Sequence, residues 1–229
     1  MIFLVFAGIT MKFPFTTEEF LDVFKQYNED VWPAQMAFVL LAMLCVYFIL
    51  GHKTHKIRIV TSILSFFWLW MGLVYHLLFF APINNAAYFF AGLFMVQGIL
   101  FFIHGVLRNP VSISHPKLNI WAGSVLIAYA LVIYPIISYY AGHEYPFAPT
   151  FGLPCPTTIF TFGIILLTGQ KWPVSLMIIP LAWSILGLSA ALYLRMYEDI
   201  GLFLAAGIWT GLSVQWTRQG GWSIVNGQW

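Results

Sequence analysis

Charge is scarce in this sequence. Asp, Glu, Lys and Arg together make up 8% of its 229 residues, against 61% hydrophobic residues. A soluble domain carries about 25% charged residues, so this chain could not cover an aqueous surface. The net charge of +2 speaks against a nucleic-acid partner. Cysteine is nearly absent. Cys45 and Cys155 define no disulfide framework, and Cys45, in mid-helix sequence, is not read as a partner of Cys155. The chain also lacks His-Glu-x-x-His, Cys-x-x-Cys, a phosphate-binding glycine loop and any internal repeat. Without a complete catalytic set, the reading leans away from an enzyme, and no cofactor is identified.

What is present fits lipid as solvent. The mean hydropathy is +0.85, and the outer face of a bundle in lipid needs no charge. Aromatic residues make up 19%, which suits interfacial belts. A spanning helix needs about 20 apolar residues. Runs of that kind cover 33–50, 58–80, 85–107, 118–141, 173–194 and 199–216. A seventh run, 157–169, would cover only about 20 Å at 1.5 Å per residue, as a short or broken span. The expectation is an all-α integral membrane bundle of about seven transmembrane helices, forming one domain over 1–229.

The N-terminal region adds an interfacial element. Thr16 with Glu19 three residues on reads as a capping box. Phe20, Val23, Phe24 and Tyr27 then share one face, so 16–30 is an amphipathic helix on the membrane surface. Residues 1–10 are apolar but lack a basic n-region and a cleavage site. They read as an extension or a start-site choice ahead of Met11.

The Lys/Arg distribution sets the orientation. Lys53, Lys56, Arg58, Arg108, Lys117, Lys171 and Arg218, seven of the ten basic residues, fall on one side if 157–169 crosses. That side is the cytoplasm, with the N-terminus outside and the C-terminus inside. All eight acids then lie on the outer side, and only Lys12, Lys25 and Arg195 oppose the pattern.

Polar residues converge on that outer side: His76, Asn84, His143, Glu144, Cys155, Glu198 and Asp199, with Gln97 half-way down the third span. Such convergence in a membrane protein marks a candidate ligand site. Each residue also has a plainer reading. Asp199 could be an N-cap. His76 could hydrogen-bond a neighbouring helix. Asn84 and Gln97 could be interhelical glue. Cys155, flanked by Pro154 and Pro156, sits in a lead-in with no regular helix, and broken helices in membranes line cavities. If a metal binds, its candidate ligands are His76, His143, Glu144 and Cys155, though their spacing follows no known ligand pattern.

Several stretches carry a family resemblance. They are Phe15-Thr16-Thr17-Glu18-Glu19-Phe20 with Tyr27-Asn28, Val31-Trp32-Pro33-Ala34-Gln35, Trp68-Leu69-Trp70-Met71-Gly72, Tyr75-His76, Pro82-Ile83-Asn84 with Ala86-Ala87-Tyr88, and Glu198-Asp199. The most extended runs from Gly142-His143-Glu144-Tyr145-Pro146 into Pro149-Thr150-Phe151-Gly152-Leu153-Pro154-Cys155-Pro156-Thr157-Thr158. Over roughly residues 11–210 the chain resembles a family of bacterial membrane proteins, domain of unknown function 6064. The resemblance implies a bacterial inner membrane and lends no activity. Three functions remain open: small-molecule or ion binding or transport through an outward-facing polar pocket; an accessory subunit bound to partner membrane proteins; and a metal- or haem-linked redox protein.

Overall fold

A computed structural model describes residues 14–51, 56–108, 117–169 and 172–218. The expectations for residues 1–10, Lys12, Lys53 and Lys171 lie outside them. The described residues form an all-α fold, mostly helical, with no β-sheet. In chain order the helices are α1 (Thr17–Asp30), α2 (Ala34–Leu50) and α3 (Lys56–Trp70, continued by a π-helical stretch Met71–Phe80). Next come α4 (Ala86–Phe101 and Phe102–Leu107) and α5 (Lys117–Ala128, Tyr129–Ile133 and Tyr134–Tyr140). Then follow α6 (Pro154–Thr168), α7 (Ser175–Tyr193), a 3₁₀ turn (Tyr197–Asp199) and α8 (Ile200–Arg218).

The start of α1 is as the sequence reads. The Thr16 hydroxyl accepts from Glu19 N at 3.1 Å, and the Glu19 carboxylate accepts from Thr16 N at 2.7 Å. Val23, Phe24 and Tyr27 are buried and Phe20 packs beside them, which leaves the acidic side exposed. A bend of 85° separates α1 from α2, so α1 crosses the end of the bundle while α2 runs along it.

Among the described residues, four helices are long and apolar enough to cross a membrane: Lys56–Phe80, Ala86–Leu107, Asn119–Tyr140 and Ser175–Tyr193. The bent pair α1–α2 makes a fifth if counted as one span. This is fewer than the seven expected, and the shortfall has local causes. The bend makes α2 start only at Ala34, leaving it 17 residues. And α6 has only 15 residues.

The short helix is nevertheless the centre of the fold. Every residue of α6 except Cys155 is buried. A helix apolar all round is a core helix, and one walled by protein needs no full bilayer length. The α5–α6 crossing is close enough to require glycine on both sides. A Cβ at Gly123 would lie 2.7 Å from Gly163 O, and one at Gly163 would lie 2.9 Å from Gly123 O. Small residues let helix backbones approach in this way.

The outward faces are apolar. Met36, Leu40, Met43, Tyr47 and Leu50 of α2 are exposed, as are Val125, Val132 and Ile136 of α5 and Ile178 and Ile185 of α7. Several apolar helices with such faces are consistent with a membrane location.

Candidate functional site

The polar residues gather where α1, the α3–α4 connection, the α5–α6 loop and the α7–α8 turn meet. Asn28 of α1 clips this end together. Its amide donates to Pro146 O at 2.6 Å and Ala148 O at 2.8 Å, and its carbonyl accepts from the Thr150 hydroxyl at 2.7 Å. Gln35, at the start of α2, donates to Asn28 O at 2.9 Å. The loop then turns through Gly152, whose φ of 105° favours glycine, and enters α6 at Leu153-Pro154-Cys155-Pro156. Proline in the first helical turn forfeits no hydrogen bond. Helix therefore begins at Pro154, earlier than the 157 expected from the apolar run.

A cavity of about 240 Å³ opens beside this lead-in. Aromatic rings of α1, α3, α4 and α7 form its walls: Phe20, Phe24, Tyr75, Phe80, Phe90 and Trp183. Its polar end is made by Tyr134, Cys155 and Asp199, with Asn84 at another edge. Tyr134 donates its hydroxyl to Asp199 Oδ1 at 2.5 Å. The Cys155 thiol lies between the Asp199 carboxylate and the Trp183 indole. Asp199 stands on the turn ahead of α8. Burial pushes its carboxyl up to about 7. The Tyr134 hydroxyl opposes the rise, the neighbouring Glu198 charge adds to it, and Cys155 and His143 oppose it further.

Behind Asp199, His143 Nδ1 and Glu198 Oε1 are 3.0 Å apart, with Glu198 fully buried. The other Glu198 carboxylate oxygen has no partner, and Tyr129 donates to the Glu198 backbone carbonyl at 2.8 Å.

The eight candidate residues thus separate. Asn84, Cys155 and Asp199 line the cavity; His143 and Glu198 form the pair beneath Asp199. Asn84 also accepts from Ala86 N at 3.1 Å and so shapes the start of α4. Glu144 is exposed and contributes no side chain to the cavity. Gln97 donates to Leu176 O at 2.8 Å, tying α4 to α7, as interhelical glue would. His76 lies behind the aromatic wall, fully buried against Tyr75, Phe90, Phe94 and Trp183, and neither ring nitrogen has a hydrogen-bond partner. The hydrogen bond expected from His76 to a neighbouring helix is not made. Asp199 accepts from Tyr134 rather than capping α8 through its side chain.

Among the described residues no group of three or more His, Cys, Asp or Glu could hold a metal ion. His76 is walled by rings and Glu144 faces outward, so the set His76, His143, Glu144 and Cys155 does not assemble. Tyr134 and Trp183 hold the site together without standing out in the sequence, because aromatic side chains are too common in this chain to single out two of them. Asn28 belongs to the stretches that carry the family resemblance, but nothing in its sequence context marks it as the clip.

Comparison with curated proteins and with solved structures finds no match. The model of a family described as "Family of unknown function (DUF6064)" matches residues 17–220, from the first turn of α1 to just past α8. The match takes in Asn28, the cavity residues from Phe20 onward and the buried Glu198 and Asp199, and by it the chain belongs to the DUF6064 family.

Proposed function

We propose that this protein is an integral membrane protein that binds a small amphipathic molecule in the aromatic cavity, as a carrier or a receptor. The observation that carries the reading is the cavity itself: apolar walls with a few polar groups converging at one end, the usual form of a small-molecule site. It replaces the polar pocket expected from the sequence with an apolar one that is polar only where Tyr134, Cys155 and Asp199 meet.

Seven crossings, α2 to α8, fit this reading. The central α6 is shielded by protein, and α2 turns Met36, Leu40, Met43 and Tyr47 toward lipid. The acids gather at the cavity end, while Lys56, Arg58 and Arg108 lie at the other. By the positive-inside rule the cavity end faces away from the cytoplasm, with the N-terminus outside and a bacterial inner membrane as the setting. There α1 lies in the interface.

A native mass spectrum of gently solubilised protein tests the reading. The expected result is the 26.1 kDa chain carrying roughly a few hundred daltons of bound molecule. Ala190 lines the cavity and is half-buried, so Ala190→Phe fills the space and the adduct is lost. An adduct retained in that variant, or a bare wild-type chain that no small molecule stabilises, overturns the proposal. Added masses of tens of kilodaltons would favour an accessory subunit instead.

A further inference from the structure

Asp199 lines the cavity, is 3% exposed, and forms no ion pair among the described residues. Among the described residues the ion pair at this end is His143–Glu198, and that imidazole faces the other acid. Arg195, four residues earlier, is exposed. Two adjacent carboxylates therefore share at most one positive charge. The groups that donate to Asp199 are neutral, a phenol and a thiol. A buried carboxylate without a counter-charge is costly. The rest of the cavity offers ring faces, which attract cations by their quadrupoles.

We propose that the cavity selects an organic ammonium: the charged head against Asp199, the apolar remainder among Phe24, Tyr75, Phe80, Phe90 and Trp183. This rests on the cavity being a ligand site, as proposed above. A bare divalent cation does not suit it. Such ions seek six or more oxygen ligands, and here the one carboxylate, Asp199, has only the neutral groups of Tyr75, Asn84, Tyr134, Cys155 and Ser189 beside it in a lining made mostly of rings and other apolar side chains. An anionic head would meet the Asp199 carboxylate. A neutral alcohol would leave the carboxylate uncompensated. A cavity of about 150 Å³ accommodates benzene, so about 240 Å³ holds a small aryl- or alkylammonium.

The test compares three compact probes on the full chain in detergent: benzyltrimethylammonium, benzyl alcohol and benzoate. The expected order is the cation at least about tenfold tighter than the alcohol, with benzoate weakest, since an ion pair in a desolvated site is worth that much. Asp199→Asn keeps an acceptor for Tyr134. It should cost the cation about tenfold and leave the alcohol unchanged. A pH series on the wild type needs no variant. The quaternary probe has no proton to lose, so its binding should strengthen from about pH 5 to about pH 8 as Asp199 ionises. Tyr134, Cys155, Glu198 and His143 also act on Asp199 and can titrate with it. A matching rise in Asp199→Asn would assign the titration to one of them and overturn the inference. Equal binding of cation and alcohol, both blocked by Ala190→Phe, would leave the cavity a ligand site and remove the ammonium. If no probe binds the wild type, cavity and ammonium both fall.

Discussion

Two parts of this bundle treat space and polarity in opposite ways. At the α5–α6 crossing, Gly123 and Gly163 bring two backbones into contact, and the residues of α6 around them are buried and apolar. At the acidic end, rings enclose a cavity, and polar atoms of His76 and Glu198 lie buried without partners. Close packing stabilises through many small contacts. A cavity and unsatisfied polar atoms do the reverse, costing about 1–3 kcal/mol for each such group. The first region makes the fold, and the second departs from what stability alone would select. Departures of that kind concentrate at functional sites.

The contrast is broken most severely at the crossing. A side chain at position 163 must displace the backbone carbonyl of Gly123, which cannot rotate away. Gly163→Val should cost about 3 kcal/mol, seen as a large drop in melting temperature of solubilised protein. Gly207 on α8 is the control, since a Cβ there meets nothing within 4 Å. Gly207→Ala should be neutral or stabilise by up to about 1 kcal/mol. Equal damage at both positions would mean that α5 and α6 do not cross as described.

The next effect concerns how the cavity end is held. Asn28→Ala removes three hydrogen bonds to the α5–α6 loop and should cost about 2 kcal/mol. Asn28→Asp should be no milder, because a carboxylate cannot donate to the Pro146 and Ala148 carbonyls. Limited proteolysis reads this directly: cleavage within 142–150 should accelerate in both variants. An unchanged cleavage rate would show that the loop is held by something other than Asn28.

Legibility in the sequence follows the same division. The capping box, the buried face of α1 and the long apolar helices were readable because they depend on residues within a turn or two of each other. The role of α6 was not. Its 15 residues look like a deficient span until their neighbours are known, and only tertiary contact shows that they meet no lipid. Within the site, Cys155, Asp199, His143 and Glu198 were readable as polar groups in an apolar chain. Their division into a cavity wall and a supporting pair was not, because it depends on contacts across 55 to 65 residues of sequence. His76 stood out for the same reason as the others, yet lies one ring behind the cavity.

That position sets up the smallest and most discriminating change. His76 is fully buried, and both nitrogens lack hydrogen-bond partners. Its nearest ring centroid is Phe94 at 4.6 Å, in an edge-on arrangement that a phenyl ring can also adopt. Replacing an unsatisfied buried polar group by an apolar group of similar shape is neutral or stabilising. His76→Phe should therefore raise stability by about 1 kcal/mol, while His76→Ala should lower it by opening a hole among the rings. Because His76 does not line the cavity, His76→Phe should also keep benzyltrimethylammonium binding within about twofold of wild type. Thermal melts of the two variants, with and without the probe, decide the matter. A stabilised, binding-competent His76→Phe would mark the imidazole as part of the wall, with the recognition chemistry at Asp199. A destabilised His76→Phe would instead mean that the ring nitrogens have a polar partner in the folded protein, moving the ligand site one ring deeper.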